Sequence, residues 1–519
     1  MRTRMRVEAL RRRKKRIGAV TDLFKTVMIY VLTVSMLTFA GIYISDRQNS
    51  GRTPDIPWEK MIIFGAGRTA LGEIDENQII PVQITITAEG NSFTAIYNND
   101  IISEIYKNFE RNILGLFGVD TICGRLDKET GDKLWRACTE AANSVYIKYA
   151  GNYLYPVIYA FLDKTGNPEI FSGELATVHE LFIIDEAPVY GVARDISGNV
   201  SVFIPEEITG DIIRSRLNTA SLESAYNSIA GVIQSEFLKG RDISAKTGVN
   251  RNNIKNLGFP DSFLLFNNYN TFSPVLRFSN PILDENGRIS TEQSFIRDFF
   301  NLLNFNIESS GSYPVRNGIT FVDGKTTANF YNDGLIVYNG EIHLSKFLGY
   351  DAEHYAFYDK IKAASVFAGN LPGELTGNES SLYLINITAD PDETLRLTFS
   401  YYYNGIKIKV NGDDEGVAVM INQDSITGVR INSFQVNALN PPVMIKDRNP
   451  ILELSIIDGM ISSDIESGAA KEDLPQKYKL AYDKIQDKFI VNAFELVYNI
   501  DYTGSINDED LTNAAWEIR

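Results

Sequence analysis

Residue types that could carry out catalysis or hold a metal ion are few in this chain. The three histidines are His179, His343 and His354; none is spaced to share a metal ion with another, and no H-E-x-x-H pattern occurs. Neither a G-x-S-x-G nucleophile elbow nor an S-x-x-K with its partner motifs is present. The glycine-rich segment 65–72 lacks both G-x-G-x-x-G spacing and a G-K-[ST] ending, so it predicts a turn. The sequence therefore favours a protein that is not an enzyme and uses no cofactor or metal.

Acidic residues give no clearer catalytic signal. The segment that begins at Asp501 starts like a calcium loop, but its sixth position is Ile506 rather than glycine and its twelfth is Thr512 rather than glutamate. The acidic clusters 390–393 and 413–415 are interpreted as solvated loop tips. A pair of carboxylates for sugar hydrolysis stays an alternative, but nothing singles out two of the 66 acidic residues.

Two cysteines, Cys123 and Cys138, flank a predicted helix. Outside the cytoplasm such a pair favours a disulfide, which would contribute about 3 kcal/mol in the chain-entropy model. Reduced thiols are the alternative in an anaerobic organism.

Charge is distributed unevenly along the chain. Residues 1–25 carry ten Lys and Arg against two acidic residues, whereas the whole chain has a net charge of −16. Residues 26–45 follow, contain no charge, and span roughly 30 Å as a helix. The basic flank predicts a cytoplasmic N-terminus and an extracytoplasmic body. Because no cleavage site or lipidated cysteine follows the segment, we expect an uncleaved single-pass anchor in the cell membrane; a buried helix of a soluble protein is the alternative.

The basic run 11–16 is interpreted as a topology and lipid-headgroup signal rather than a nucleic-acid site, which the acidic body also disfavours. Within the predicted membrane helix, Thr33, Ala40 and Gly41 contribute to a stripe of small and hydroxyl side chains. Such stripes let membrane helices approach closely, so these three residues are candidate partner contacts. An ordinary lipid-facing helix is the alternative.

The chain is divided by composition into six segments. They are a basic cytoplasmic tail (1–25), a transmembrane helix (26–45), a stalk (46–57), a first extracytoplasmic domain (58–240), a linker (241–260) and a second extracytoplasmic domain (261–519).

Hydrophobic periodicity predicts alternating helices and strands in both domains. In the first domain the predicted elements are a strand at 81–86, a helix at 100–116, β-rich runs at 153–162 and 180–184, a hairpin at 189–204 and a helix at 222–238. In the second, helices at 295–303, 355–367 and 476–490 each precede short strands, many punctuated by Asn-Gly or Asp-Gly turns. The predicted fold class is α+β: a single N-terminal transmembrane helix followed by two extracytoplasmic domains of helices packed on antiparallel β-meanders.

Several aromatic strands and turns occur in a specific order after the predicted anchor. They are 332–338 (NDGLIVY), 399–406 (FSYYYNGI), 418–421 (AVMI), 426–428 (ITG), 495–498 (ELVY) and 514–518 (AAWEI). Together they resemble the YycH/YycI family, Gram-positive accessory proteins of the WalK (YycG) sensor kinase. The start of the body, 81–84 (PVQI) followed by a helix, is similar to the longer member, YycH.

The resemblance implies a function without catalysis. It implies a membrane-anchored regulator of a two-component sensor histidine kinase that controls cell-wall metabolism, acting by contact through the membrane helix and the ectodomain. The implied partners are the kinase, the membrane and, as a further expectation, a shorter paralogous regulator. An extracytoplasmic binding module for a cell-wall polymer or peptide is the alternative.

Overall fold

A computed structural model describes the protein over residues 76–79, 81–96, 99–118, 121–163, 176–185, 189–205, 232–238, 257–258, 263–266, 272–284, 287–289, 293–389, 394–438, 444–446, 489–490, 494–500, 510–512 and 515–518. The chain divides into two compact units, Met1–Pro57 and Trp58–Arg519, and every described residue belongs to the second. The predicted division of this second unit at 241–260 stays a prediction.

The first half of the second unit is organised by one large antiparallel sheet. Its strands, in chain order, are β1 (Pro81–Ala88), β2 (Asn91–Ile96), β3 (Thr121–Arg125), β4 (Ser144–Leu154), β5 (Thr177–Ile184), β6 (Tyr190–Arg194), β7 (Val200–Pro205), β8 (Val232–Leu238), β9 (Leu257–Gly258) and β10 (Phe263–Phe266). All but β9 join this nine-stranded sheet, in the order β10-β8-β2-β1-β4-β5-β6-β7-β3. The strand β3 therefore forms one edge.

Helices cover both faces of the nine-stranded sheet. They are α1 (Asn99–Lys107), α2 (Glu110–Phe117), α3 (Lys128–Thr139) and α4 (Tyr155–Leu162), and a 3-10 turn (Glu76–Ile79) precedes β1. The N-cap of α3 is Asp127, whose carboxylate accepts a hydrogen bond from the backbone N–H of Thr130 at 3.1 Å. Trp135 of α3 packs in a small cluster against Val192 and Val200, and the other three helices contribute to the main core.

The second half contains an eleven-stranded sheet and three small ones. The strands are β11 (Phe272–Pro274), β12 (Leu276–Ser279), β13 (Gly311–Val315), β14 (Gly318–Asp323), β15 (Thr326–Tyr331), β16 (Leu335–His343), β17 (Ser381–Ala389), β18 (Leu395–Tyr403), β19 (Ile406–Val410), β20 (Val417–Asn422), β21 (Ser425–Asn432), β22 (Gln435–Ala438), β23 (Met444–Lys446), β24 (Phe489–Ile490), β25 (Phe494–Ile500), β26 (Asp510–Thr512) and β27 (Ala515–Ile518).

The large sheet runs β13-β14-β15-β16-β21-β20-β18-β19-β25-β27, with β17 also paired to β18. All its pairs are antiparallel except β19 with β25, which is parallel. The small sheets are β11-β23, β22-β12-β26 and β24-β9. Four helices accompany these strands: α5 (Ser294–Leu302), α6 (Ser345–Leu348), α7 (Phe357–Gly369) and α8 (Gly373–Thr376).

The two large sheets meet where the second half of β4 lies against β17. A Cβ added to Gly151 would come within 2.4 Å of the carbonyl oxygen of Ile385, so only glycine permits this backbone approach. Beside it, the Tyr153 hydroxyl donates a hydrogen bond to the carbonyl oxygen of Leu384. Tyr149 stacks edge-on against Tyr153, and both rings are fully buried. One buried hydrophobic cluster therefore continues from the nine-stranded sheet into the eleven-stranded sheet.

The predicted fold class is wrong. The described part of the chain is a mixed α/β structure built mostly of strands in large sheets, rather than helices on separate meanders. Within those ranges no helix has the length and apolar character needed to cross a membrane. The predicted transmembrane segment, 26–45, lies outside the described residues. Local patterns missed the architecture because long-range pairings, such as β19 with β25, merge the predicted short meanders into wide sheets.

Individual elements were predicted with mixed success. The strand at 81–86, the hairpin at 189–204 and the helices at 295–303 and 355–367 are confirmed. The helix predicted at 100–116 is interrupted between α1 and α2. The β-rich run at 153–162 is wrong beyond residue 154, because it becomes α4, and the helix predicted at 222–238 is wrong over its last seven residues, which form β8.

Candidate interaction surface

The edge strand β3 presents an exposed apolar pair. Ile122 of β3 lies directly opposite Ile204 of β7, and the two residues are 52% and 44% exposed. The next residue of β3, Cys123, faces the other way, toward the main core, as its register partner Phe203 does. Ile196, in the turn between β6 and β7, is also 67% exposed. Among the strands that the structure describes, β3 pairs with β7 alone. Large apolar side chains placed together at such a sheet edge are typical of a protein–protein contact.

The edge strand β13 of the eleven-stranded sheet differs in composition from β3. It contains Pro314, which has no backbone N–H to offer an incoming strand. Tyr313 of β13 is exposed, but no large apolar residue of the paired strand β14 is exposed beside it. Proline on an edge strand protects against strand addition, and β3 contains none. Compared with the edge at β13, the edge at β3 is therefore better suited to receive another chain.

A partly buried ion pair stiffens the strands near this edge. Glu180 of β5 accepts hydrogen bonds from the Tyr146 hydroxyl at 2.5 Å and from Arg194 Nε at 2.6 Å. The Arg194 guanidinium also lies over the Trp135 ring, 4.3 Å from its centre. Burial raises the pKa of Glu180, but Arg194, His179 and other partners outweigh it and hold that pKa at about 2. The carboxylate is therefore ionised at physiological pH and cannot serve there as a general acid.

His179 is the neighbour of Glu180 in β5, and it takes a structural position. Its Nδ1 lies 2.9 Å from the carbonyl oxygen of Gly151, so this nitrogen carries the proton and donates it. Burial, followed by the charge of Lys148, lowers the pKa of His179. The ring therefore ties β5 to the bulge of β4 that contacts β17.

A small polar cavity lies on the core-facing side of the edge. Its volume is about 40 Å³, and it is lined by Cys123, Arg125, Ala176, Thr177, Asp195, Asn199 and Ser201. Both carboxylate oxygens of Asp195 already accept hydrogen bonds, from the backbone N–H and the side-chain amide of Asn199 at 2.8 and 2.7 Å. A space this size holds a few water molecules, whereas small-molecule sites measure hundreds of cubic ångströms. The cavity is thus no substrate site.

The two cysteines lie in different clusters. Cys123 packs against the main core, whereas Cys138 belongs to the smaller cluster beneath α3, with Trp135 and Val200. No disulfide joins them in the structure. Pairing them would require one side chain to leave its cluster, and the predicted disulfide stays a prediction. The candidate contacts Thr33, Ala40 and Gly41 lie outside the described residues.

The acidic cluster 413–415 is not a solvated loop tip. Asp413 pairs with Arg430 at 3.3 Å, and Asp414 pairs with the nearly buried Lys409 at 2.9 Å. Glu415 accepts two hydrogen bonds from Arg396, at 2.5 and 2.7 Å. These contacts tie the loop after β19 to β18 and β21, so the cluster fixes the sheet. The segments 65–72, 390–393 and 501–509 lie outside the described residues.

Within the described ranges, no group of three or more His, Cys, Asp or Glu residues is placed to hold a metal ion. His343 bonds the hydroxyl of Ser345 at 2.8 Å, and its ring lies 3.4 Å from a carboxylate oxygen of Asp351 at the surface. Sequence reasoning missed the Ile122–Ile204 pair, because neither residue stands out until the strand order places β3 at an edge.

Comparison of the whole chain with protein-family models, with curated proteins and with solved structures finds no match.

Proposed function

We propose that the protein is a non-enzymatic regulator that contacts a membrane sensor histidine kinase controlling cell-wall metabolism. The observation that supports the protein-contact part is the position of β3 at the edge of the described nine-stranded sheet, with its exposed pair, Ile122 and Ile204. The kinase as partner rests on the resemblance of the aromatic strands and turns to the YycH/YycI family. A shorter paralogous regulator belongs to the same proposal.

The edge of β3 suits strand addition. In this mode an extended segment of the partner forms main-chain hydrogen bonds with the edge strand, and alternate side chains supply specificity. Ile122 and Ile204 would then form the apolar centre, and the exposed Arg125 would lie at the rim. Burying two isoleucine side chains that are now half-exposed contributes on the order of 1–3 kcal/mol.

The rigid support behind the edge favours a contact that selects between kinase conformations. The Glu180–Arg194–Tyr146 cluster and the stacked Trp135 hold β4, β5 and β6 in register. A rigid surface discriminates between two partner shapes better than a pliable one. To change the ratio of two kinase states tenfold, the surface must bind one state about 1.4 kcal/mol more tightly than the other.

The proposed location follows from the sequence. The uncharged segment 26–45 and its basic flank support the proposal that the chain is held at the cell membrane with its body outside the cytoplasm. The contact predicted for Thr33, Ala40 and Gly41 stays part of this proposal. Both the edge and this segment would then reach a kinase in the same membrane.

The test is co-purification of the full-length chain with kinases from native membranes after Ile122→Lys. A charge at the centre of the contact is expected to reduce recovery of the kinase at least tenfold. Tyr313→Lys is the matched control, because Tyr313 is equally exposed on the edge of the other sheet. Undiminished kinase recovery with Ile122→Lys would refute the assigned surface. Recovery of wall polymer without any kinase would favour the binding-module alternative.

A further inference from the structure

One face of α7 carries polar side chains into the buried junction between the two large sheets. Tyr358, Lys362 and Ser365 are spaced four and three residues apart, which places them on one side of the helix. Gln78, from the 3-10 turn before β1, meets this face: its side-chain nitrogen donates to the carbonyl oxygen of Ser365 at 3.0 Å. Lys362, Ser365 and Gln78 are each no more than 2% exposed. These four residues form what we term the polar seam.

Each member of the polar seam has a polar atom without a hydrogen-bond partner. The atoms are Tyr358 OH, Lys362 Nζ, Ser365 Oγ and Gln78 Oε1. Buried polar atoms in folded proteins are nearly always paired, so four unpaired atoms around one helix face are exceptional. An unpaired buried amine is the most costly of them, because its charged form loses hydration and gains no counter-ion.

The carboxylate whose charge acts on Lys362 is already engaged. Asp359, on the same helix, accepts hydrogen bonds from the Tyr350 hydroxyl and, at 3.0 Å, from the backbone N–H of Ala356 at the start of α7. Its charge raises the pKa of Lys362, yet burial outweighs that effect and lowers the pKa. Asp359 thus caps the helix and leaves the amine of Lys362 without a hydrogen-bonded anion.

We propose that the polar seam is a binding site for a small hydroxycarboxylate. The amine of Lys362 and the hydroxyls of Tyr358 and Ser365 supply donors that match a carboxylate. One cation suits a monoanion, whereas a phosphate dianion is usually held by several cations or backbone N–H groups. Gln78 Oε1 has no hydrogen-bond donor, and a hydroxyl on the ligand provides one. An amino acid would instead bring its positively charged ammonium toward the amine of Lys362. This site is separate from the β3 surface, and its ligand would enter by parting α7 from the 3-10 turn.

The test is thermal unfolding and titration calorimetry of the full-length chain with sodium L-lactate, sodium acetate or sodium chloride at equal ionic strength. Lactate is expected to raise Tm by several degrees, acetate to raise it less, and chloride to leave it unchanged. Lys362→Met should weaken lactate binding at least tenfold. Lys360→Met is the matched control, because residue 360 lies on another side of α7, and it should keep the wild-type affinity.

Two further variants distinguish specific binding of lactate at the polar seam from general effects of salt. Gln78→Met should abolish the preference for lactate over acetate, because it removes the acceptor for the ligand hydroxyl. Ser365→Ala should weaken lactate binding severalfold without loss of folding, which keeps the test valid if Lys362→Met does not fold. An equal response to lactate in the wild type, Lys362→Met and Ser365→Ala would overturn the proposal, as would no response beyond that of chloride.

Discussion

Replacing Glu180 by glutamine should reveal how much its partly buried ion pair with Arg194 stabilises the nine-stranded sheet. The Glu180 side chain is 12% exposed and that of Arg194 is 29% exposed, so water screens the pair only weakly. The variant keeps the shape of the side chain but leaves the guanidinium of Arg194 over Trp135 without its carboxylate. Removing one partner of a buried pair costs about 3–5 kcal/mol, and the partial exposure of Arg194 places the expected loss near 3 kcal/mol.

The lowered pKa of Glu180 expresses the same stabilisation as a dependence on pH. The carboxyl has its ordinary value of 4.5 in the unfolded chain and about 2 in the folded protein, which corresponds to about 3 kcal/mol. Because the folded pKa is the lower one, this stabilisation is fully present above pH 4.5. It is lost progressively as the pH falls through 4.5 toward 2. This magnitude agrees with the loss expected for Glu180→Gln.

Urea unfolding followed by circular dichroism measures the effect. At pH 7 the free energy of unfolding should fall by about 3 kcal/mol in Glu180→Gln, and the difference from wild type should shrink as the pH drops below 4.5. Glu129→Gln is the control, because its exposed pair with Lys133 is worth at most about 0.5 kcal/mol. A loss below 1 kcal/mol, or a difference independent of pH, would show that the pair does not stabilise the fold as argued.

Three further outcomes are expected. Gly151→Ala should destabilise the protein by about 2–3 kcal/mol in chemical denaturation, because the new Cβ meets the Ile385 carbonyl oxygen at 2.4 Å. A change below about 0.5 kcal/mol would mean that the contact between β4 and β17 relaxes freely. After reduction with dithiothreitol, Cys123, which is half-buried, should react with a thiol reagent well before Cys138, which is 2% exposed, and equal reaction rates at the two sites would contradict their different burial. The full-length chain should remain in the membrane fraction after alkaline carbonate extraction because of segment 26–45, and release into the supernatant would exclude the proposed location.

Local turn chemistry predicted parts of the fold well. Asn404 and Gly405 both take positive φ, at 49° and 80°, as the Asn-Gly signal requires between β18 and β19. The same dipeptide at Asn339 and Gly340 gives no turn, because the register shifts there inside β16 and the strand continues to His343. An Asn-Gly pair thus indicates a break in regular pairing, and tertiary contacts decide whether that break is a turn or a bulge.

Apolar runs were harder to interpret than turns. The run from Tyr155 to Leu162 is apolar on nearly every side, and such a run fits a buried strand or a buried helix equally well. Pro156 in its first turn favours the helix. The converse error occurs at Val232–Leu238, where the apolar residues are spaced as in a helix but the segment forms β8 between β2 and β10. Pairing with distant strands therefore overrides its local preference.

The candidate surface could not be predicted from sequence for a related reason. Ile122 lies in a five-residue strand, TICGR, whose sequence does not show whether the strand is internal or at an edge of a sheet. Only the order of the nine strands, which depends on pairings between distant segments, places it at an edge opposite Ile204. The acidic residues 413–415 were misjudged in the same way, because Arg396 and Arg430 reach them from strands that are separate in sequence.

The central claim is that the β3 edge contacts a sensor kinase. The most direct measurement is photo-crosslinking in native membranes with p-benzoylphenylalanine introduced at Ile122 of the full-length chain, followed by mass spectrometry of the captured products. We expect a histidine kinase among the products from position 122 and its absence from those of a matched probe at Tyr313. Products without a kinase at position 122, or equal capture of the kinase from both positions, would contradict the proposed contact.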